Sequence, residues 1–413
     1  MLIIYRILIN LVLILSPIII LIRLIKKKED YIRFKEKIGF FSKKRISGNL
    51  IWFHGASVGE IKSILPLIEK FEKNKKIKQI LITTNTLSSS KLIKTFKYKK
   101  VIHQFFPIDT NFISKKFISY WNPSKVFFID SEIWPNTIIN ISNKNIPLIL
   151  INGRITKKTF IKWMKIRNFS KELFSKFDLC LSSSKESANY LKRLNAKNIK
   201  YLGNIKYSNS EQNKQTVSKN LRKFFKKKNI WCASSTHETE EILCANTHAN
   251  LKRKINNLLT IIIPRHVERC EKIRSDLNKL DLKVHMHTSA KKIEKKTDIY
   301  LVDTYGKTQL FFNECKNVFL GGSFVNHGGQ NPIEAARYGC NILHGPNIDN
   351  FKEIYNFLKK KGVSYKINNS KDLTKFLSKK LITHSRSNKI EKKINTIGNI
   401  VLKKTYKVIN SNK

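Results

Sequence analysis

The chain has 413 residues, is 41% hydrophobic, and carries 80 Lys+Arg against 29 Asp+Glu for a formal net charge of +51. That length exceeds one ordinary core and predicts two domains, and the hydrophobic content is ample for globular folding. The charge calls for anionic partners, but it is spread evenly through a Lys-, Asn- and Ile-rich sequence with no RNA-binding signature and no long basic tail, which argues against a nucleic-acid-binding protein.

Residues 1–28 open on MLIIYRILINLVLILSPIIILIRLIKKK, and the 16 residues between Arg6 and Arg23 are polar only at Asn10 and Ser16. As a helix they span roughly 24 Å, short of the roughly 30 Å hydrocarbon core, a gap that arginines snorkelling at both ends can stretch to meet. No small-residue cleavage site follows, and Lys26-Lys27-Lys28 comes next. The expectation is an uncleaved anchor, spanning or interfacial, with the basic cluster and all that follows on the cytoplasmic side. Attraction to anionic lipid is a secondary effect of the surplus charge.

From residue 50 a βα alternation begins. Strands are expected at Leu50–Phe53, Ile77–Ile82, Val101–Phe106, Val126–Ile129, Leu148–Ile151, Asp178–Leu181 and Ile199–Leu202, with helical spacing between them. Residues 208–228 are polar and weakly patterned, as in an interdomain linker. The alternation resumes at Ile230–Ala233, Leu259–Ile263, Ile299–Val302 and Val318–Leu320, and a Lys-rich helix near 385–411 closes the chain. The expected division is an anchor (1–28), a first domain (29–207), the linker, a second domain (229–384) and a closing segment (385–413). Such an order implies two doubly wound α/β domains of parallel sheet, facing each other across a cleft. The six cysteines form no C-x-x-C pair, which predicts reduced, buried thiols without zinc or disulfides.

Ligands of open parallel sheets sit beyond the carboxyl ends of the strands, and the unusual clusters fall there. His54-Gly-Ala-Ser-Val-Gly-Glu60 places a carboxylate on the first turn of a helix, either to complement the dipole or to accept a proton. Asp130-Ser-Glu132 puts two carboxylates at another strand end, as caps or as site groups. Gly203-Asn-Ile-Lys206 ends the first half, and Pro264-Arg265-His266 and Asp303-Thr-Tyr305-Gly306-Lys307 follow strands of the second. The glycine pairs Gly321-Gly322 and Gly328-Gly329, before Asn331-Pro332-Ile333-Glu334, can let a phosphate approach backbone N–H groups and a helix N-terminus, and Glu334 can accept from ribose hydroxyls. A carboxylate to take a proton and cations to stabilise a departing phosphate are what sugar transfer from a nucleotide donor requires. No HExxH or DxD-type site is present, so neither a metal nor another cofactor is indicated.

Taken together, His54–Glu60, Asp130–Pro135, Ser235-Thr-His-Glu238, Pro264-Arg-His266, Gly321-Gly-Ser323 and Asn331–Ala336 resemble the bacterial 3-deoxy-D-manno-octulosonic acid (Kdo) transferases, in order and spacing, to about residue 360. The resemblance implies a GT-B glycosyltransferase of two Rossmann-like domains on the cytoplasmic face of the bacterial inner membrane, with CMP-Kdo as donor and the lipid A precursor lipid IVA as acceptor. It implies inversion at the anomeric centre without a bound metal. Glu60 matches the family's proton acceptor, and Asp130 and Lys206 match positions credited with transition-state stabilisation. Pro264 and Arg265, Tyr305, Gly306 and Lys307, and Asn331, Pro332, Ile333 and Glu334 match the segments that hold CMP. Two departures stand out: Asp130 replaces a usual Glu, and Tyr305-Gly306-Lys307 replaces Met-Gly-Glu. The competing enzyme reading is another GT-B envelope transferase using a UDP-sugar.

Overall fold

The structure, a computed structural model, describes residues 1–208, 216–381 and 388–411. The chain forms two compact units, one from Met1–Ser210 with Ile397–Lys413 and one from Glu211–Thr396. The first holds a parallel sheet of β1 (Leu50–His54), β2 (Gln79–Thr84), β3 (Val101–Phe105), β4 (Lys125–Ile129), β5 (Leu148–Gly153), β6 (Leu179–Ser182) and β7 (Ile199–Tyr201), in the order β3-β2-β1-β4-β5-β6-β7. The second holds β8 (Asn229–Thr236), β9 (Leu258–Pro264), β10 (Val284–Met286), β11 (Ile299–Leu301), β12 (Asn317–Leu320), β13 (Asn341–His344) and β14 (Ser364–Lys366), ordered β10-β11-β9-β8-β12-β13-β14 and also parallel. Strand order therefore turns back between β1 and β4 in one unit, and between β8 and β12 in the other.

The continuous apolar runs are explained by burial on both faces. Leu50 and Trp52 of β1 pack into one core with Phe117, Trp121 and Phe174. Their neighbours Ile51 and Phe53 pack into another, with Ile61, Ile64 and Phe71. Three strands were not expected from sequence. β10 and β14 are edge strands in which only Ser364 is buried and whose Val-His-Met and Ser-Tyr-Lys carry no apolar run, and β13 has only Ile342 and Leu343 between polar residues.

Within the stretch expected as a linker, residues 209–215 lie outside the described residues, but Lys219–Phe225 is a helix capped by Ser218, with Leu221 and Phe225 buried. Those two apolar side chains, one turn apart among lysines and asparagines, are its only sequence trace. The closing helix Asn388–Ser411 returns to the first unit, where Val401, Leu402 and Ile409 join the core behind Ile51 and Phe53. Residues 382–387 and 412–413 of the expected closing region lie outside the described residues. All six cysteines are free thiols and buried. Leu2–Ile25 is one continuous helix through Pro17, long and apolar enough to cross a membrane.

Candidate functional site

The turn-back between β1 and β4 carries the first cluster. Ser57 caps the helix Val58–Glu72, and Glu60 completes a capping box by accepting from Ser57 N at 3.4 Å, with Ala56 N also donating to its Oε2 at 2.6 Å. Gly55 has no side chain because a Cβ there would lie 3.3 Å from the Glu60 Cβ and 3.2 Å from Ile129 Cδ1, so the turn after β1 packs against the end of β4. Burial first, then the nearby charges of Asp130 and Glu132, push the Glu60 carboxyl up to about 7 from an ordinary 4.5. A carboxylate can thus cap a helix and still be poised to exchange a proton near neutral pH.

Asp130, next after β4, adopts a left-handed φ of +58°, a conformation uncommon for a non-glycine residue and often found at functional sites. Its Oδ2 accepts from Lys206 Nζ at 2.6 Å and its Oδ1 from Asn152 Nδ2. Burial would raise this carboxyl, but Lys206 and Arg154 outweigh burial and hold it below the usual carboxylate range. Asn152 sits at a register shift between Ile151 and Gly153, with φ +57°, and its Oδ1 accepts from Ile205 N at 3.2 Å. The irregular end of β5 therefore aims one side chain at both Asp130 and the Ile205–Ser208 turn that carries Lys206. Sequence reasoning missed Asn152, although the Asn-Gly pair closing an apolar strand was a visible signal.

His54 belongs to the scaffold here. Fully buried, it meets Thr83 Oγ1 at 2.9 Å and Glu132 Oε2 at 3.0 Å, and stacks on Phe106. Glu132 also accepts from Trp134 Nε1 at 2.9 Å. Burial would raise the Glu132 carboxyl, but its contact with His54 holds it low.

In the second unit, Pro264 ends β9 and Arg265 is exposed just beyond, its N donating to Thr236 O at 3.0 Å. Tyr305 donates to Glu268 at 2.8 Å, which brings the exposed Tyr305-Gly306-Lys307 turn beside Pro264–Arg265. Asn331 caps the Ile333 N–H at 3.1 Å, and the helix that follows, Ile333–Arg337, has five residues with Pro332 at its N-cap. Glu334 is half-buried on that helix. The segment reaches the end of β8 through Gln330, 3.4 Å from His237. His237 in turn lies 4.5 Å, ring to ring, from His327 and 6.0 Å from His266. Burial first, then the charges of His327, His266, Arg265 and Arg269, push His237 down to about 4, so its imidazole is neutral near pH 7.

The glycine loop differs from expectation. Its N–H groups do not stand open to a phosphate: those of Gly322, Ser323 and Phe324 donate to the buried Glu240 carboxylate at 2.7, 3.1 and 3.0 Å. His237 N adds a fourth donor to Glu240, and Gly329 N donates to Gly322 O at 2.8 Å. Gly321 is required by close approach, since a Cβ would fall 2.4 Å from Ser235 O. The loop is built around an internal anion, and sequence reasoning missed Glu240 because it stands in an acidic run typical of a helix start.

A family model described as 3-deoxy-D-manno-octulosonic-acid transferase (kdotransferase) matches residues 32–209. A 3-deoxy-D-manno-octulosonic acid transferase of Rickettsia bellii (strain RML369-C) is 34% identical over 339 residues, 82% of this chain and 80% of the relative. A protein of the same name from Haemophilus influenzae is 28% identical over 331 residues, 79% of this chain and 78% of the relative. Among solved structures, UDP-GlcNAc 2-epimerase from Neisseria meningitidis shares the fold, with a TM-score of 0.58 at 13% identity over 87% of this chain and all of that one.

Proposed function

The chain belongs to the 3-deoxy-D-manno-octulosonic acid transferase family, and from that premise we propose that it transfers Kdo from CMP-Kdo to lipid IVA with inversion, using Glu60 as general base. It is a glycosyltransferase with the paired parallel sheets of the GT-B type. The observation that carries the mechanism is the Glu60 carboxyl, lifted to about 7 beside the Asp130–Lys206 pair at the turn-back of its sheet.

In the proposed reaction, Glu60 takes the proton from a primary hydroxyl of the acceptor. That oxygen bonds to the anomeric carbon of Kdo as the bond to the CMP phosphate breaks on the opposite face, and CMP leaves with the electron pair. Lys206, held by Asp130, contributes to stabilising the transition state. Pro264, Arg265, Tyr305, Gly306, Lys307, Asn331, Pro332, Ile333 and Glu334 hold CMP. The exposed Arg265 supports this part of the reading, because CMP-Kdo is anionic at both phosphate and carboxylate. The departure at Tyr305–Lys307 keeps the backbone and loses only the side-chain role of a Glu. Anchoring by the N-terminal helix at the cytoplasmic face of the inner membrane, aided by anionic lipid, would bring the enzyme to a lipid acceptor.

Donor competition tests the assignment. CMP should protect the second unit from proteolysis or heat and UDP should not, whereas protection by UDP alone would replace Kdo transfer with a UDP-sugar reaction.

A further inference from the structure

The N-terminal helix has two faces that the sequence does not distinguish. Along its length Leu2, Arg6, Ile9, Leu13, Ser16, Ile20 and Arg23 are half-buried or buried, at spacings that alternate four and three. That is the seam of a helix packed lengthwise on a partner. The opposite stripe, Ile4, Leu8, Leu11, Leu15, Ile18, Ile22 and Ile25, is 43–72% exposed and entirely Ile and Leu. Both arginines lie on the packed seam.

The two ends of the helix are tied to one folded unit. Near its start, Tyr5 Oη donates to Asp109 Oδ2 at 2.7 Å and Arg6 Nε to Asn136 Oδ1 at 3.0 Å. Near its end, Arg23 Nε meets Glu29 at 2.9 Å, and Glu29 also takes Lys37 Nζ at 2.6 Å. Lys37 closes the bracket, since its carbonyl accepts from Ile108 N at 2.8 Å, the residue before Asp109. Exposed apolar side chains flank both ends, Phe112 (77%) beside Asn111 at the start, and Tyr31 (64%) and Ile32 (84%) after the end. A helix crossing the bilayer would put its ends on opposite sides of a roughly 30 Å hydrocarbon layer, yet here both ends bond to one compact unit.

We propose that the helix Leu2–Ile25 lies flat in the membrane interface, with its Ile/Leu stripe in anionic lipid and its half-buried seam gripping the first unit, and does not span the bilayer. The occupant of the exposed stripe is lipid because the stripe is wholly apolar, runs the full length of the helix, and is followed at once by Lys26, Lys27 and Lys28. The arrangement also has a consequence that rests on the proposed function. Asp109 accepts from Asn136 N at 2.9 Å and Thr137 N at 2.8 Å, fixing the start of the helix that follows the Asp130–Trp134 turn. The membrane helix is thus bolted to the same edge of the sheet that carries Glu60 and Asp130, where a membrane-embedded acceptor would present its sugar.

Spin labels at Ile4→Cys, Leu11→Cys, Ile18→Cys and Ile25→Cys in the full chain test the proposal, because the six native thiols are buried. In vesicles of phosphatidylethanolamine and phosphatidylglycerol, relative accessibility to oxygen and to a polar nickel chelate reads each label's depth. The expected result is one shallow depth, about 5–10 Å below the headgroups, at all four positions. A profile with Leu11 and Ile18 deep and both ends shallow would overturn it, as would four water-exposed labels. Kdo transfer assayed on the same vesicles is a separate readout: an even profile without transfer sinks the catalytic reading alone.

Discussion

Asp130 and Lys206, 76 positions apart in sequence, share a 2.6 Å ion pair whose carboxylate is 4% exposed. Taking one charge from a buried pair leaves the other uncompensated, a loss of about 3–5 kcal/mol. Asp130→Asn should therefore lower thermal stability by about that amount and abolish turnover. Lys206→Met in the same background should recover part of the stability and none of the activity. Calorimetry and a transfer assay check the two halves; an Asp130→Asn protein as stable as wild type would contradict the burial of this pair.

Glu60 should set the pH dependence of the reaction. With its carboxyl near 7, the deprotonated base is scarce below that value and complete above it, so log kcat/KM should rise with unit slope up to pH about 7 and then flatten. Glu60→Gln keeps a capping-box residue and should fold, but should lose ~10²–10⁴-fold in rate. The linkage runs the other way for stability. A carboxyl raised in the folded state favours folding while protonated, and that contribution is lost as pH climbs from 4.5 through about 7. The Tm of Glu60→Gln should fall less across that window than the Tm of wild type.

Glu240→Gln should damage the second unit without touching the first. One of its two oxygens takes Gly322 N and His237 N, the other Ser323 N and Phe324 N. An amide would turn one of those acceptors into a donor facing two donors, leaving buried N–H groups unpaired at about 1–3 kcal/mol each. The expected outcome is a marked drop in Tm and a weaker donor KM, measured on the same protein.

Glu334→Ala should act on the donor alone. If its carboxylate accepts from ribose, removing a charged hydrogen bond of about 1.5–3 kcal/mol should raise the donor KM roughly 10- to 100-fold with kcat little changed. Steady-state kinetics at saturating acceptor separate the two, and an unchanged KM would remove the contact.

The strands buried on both faces were legible because double burial demands unbroken apolar runs, as in Leu50–Phe53 and Val126–Ile129. Edge strands such as Ser364–Lys366 were not, since half of each is solvated. Within the site, local spacing put Glu60 on the first turn of a helix, and only the family resemblance implied its role. The Asn152-Gly153 pair marked a strand end, but what Asn152 and Glu240 do was not legible, because it is set by partners far along the chain: Asp130 lies 22 positions from Asn152, and Gly322 lies 82 from Glu240. The same distance misled the reading of the glycine loop, whose N–H groups looked open to phosphate only because their carboxylate partner is invisible locally.

Mass spectrometry of lipid IVA after incubation with the protein and CMP-Kdo reads the proposed transfer itself. The expected result is a gain of one or more whole Kdo residues together with release of CMP, and no gain with Glu60→Gln. Unmodified lipid IVA beside an intact, folded protein, or equal modification by Glu60→Gln, would contradict it.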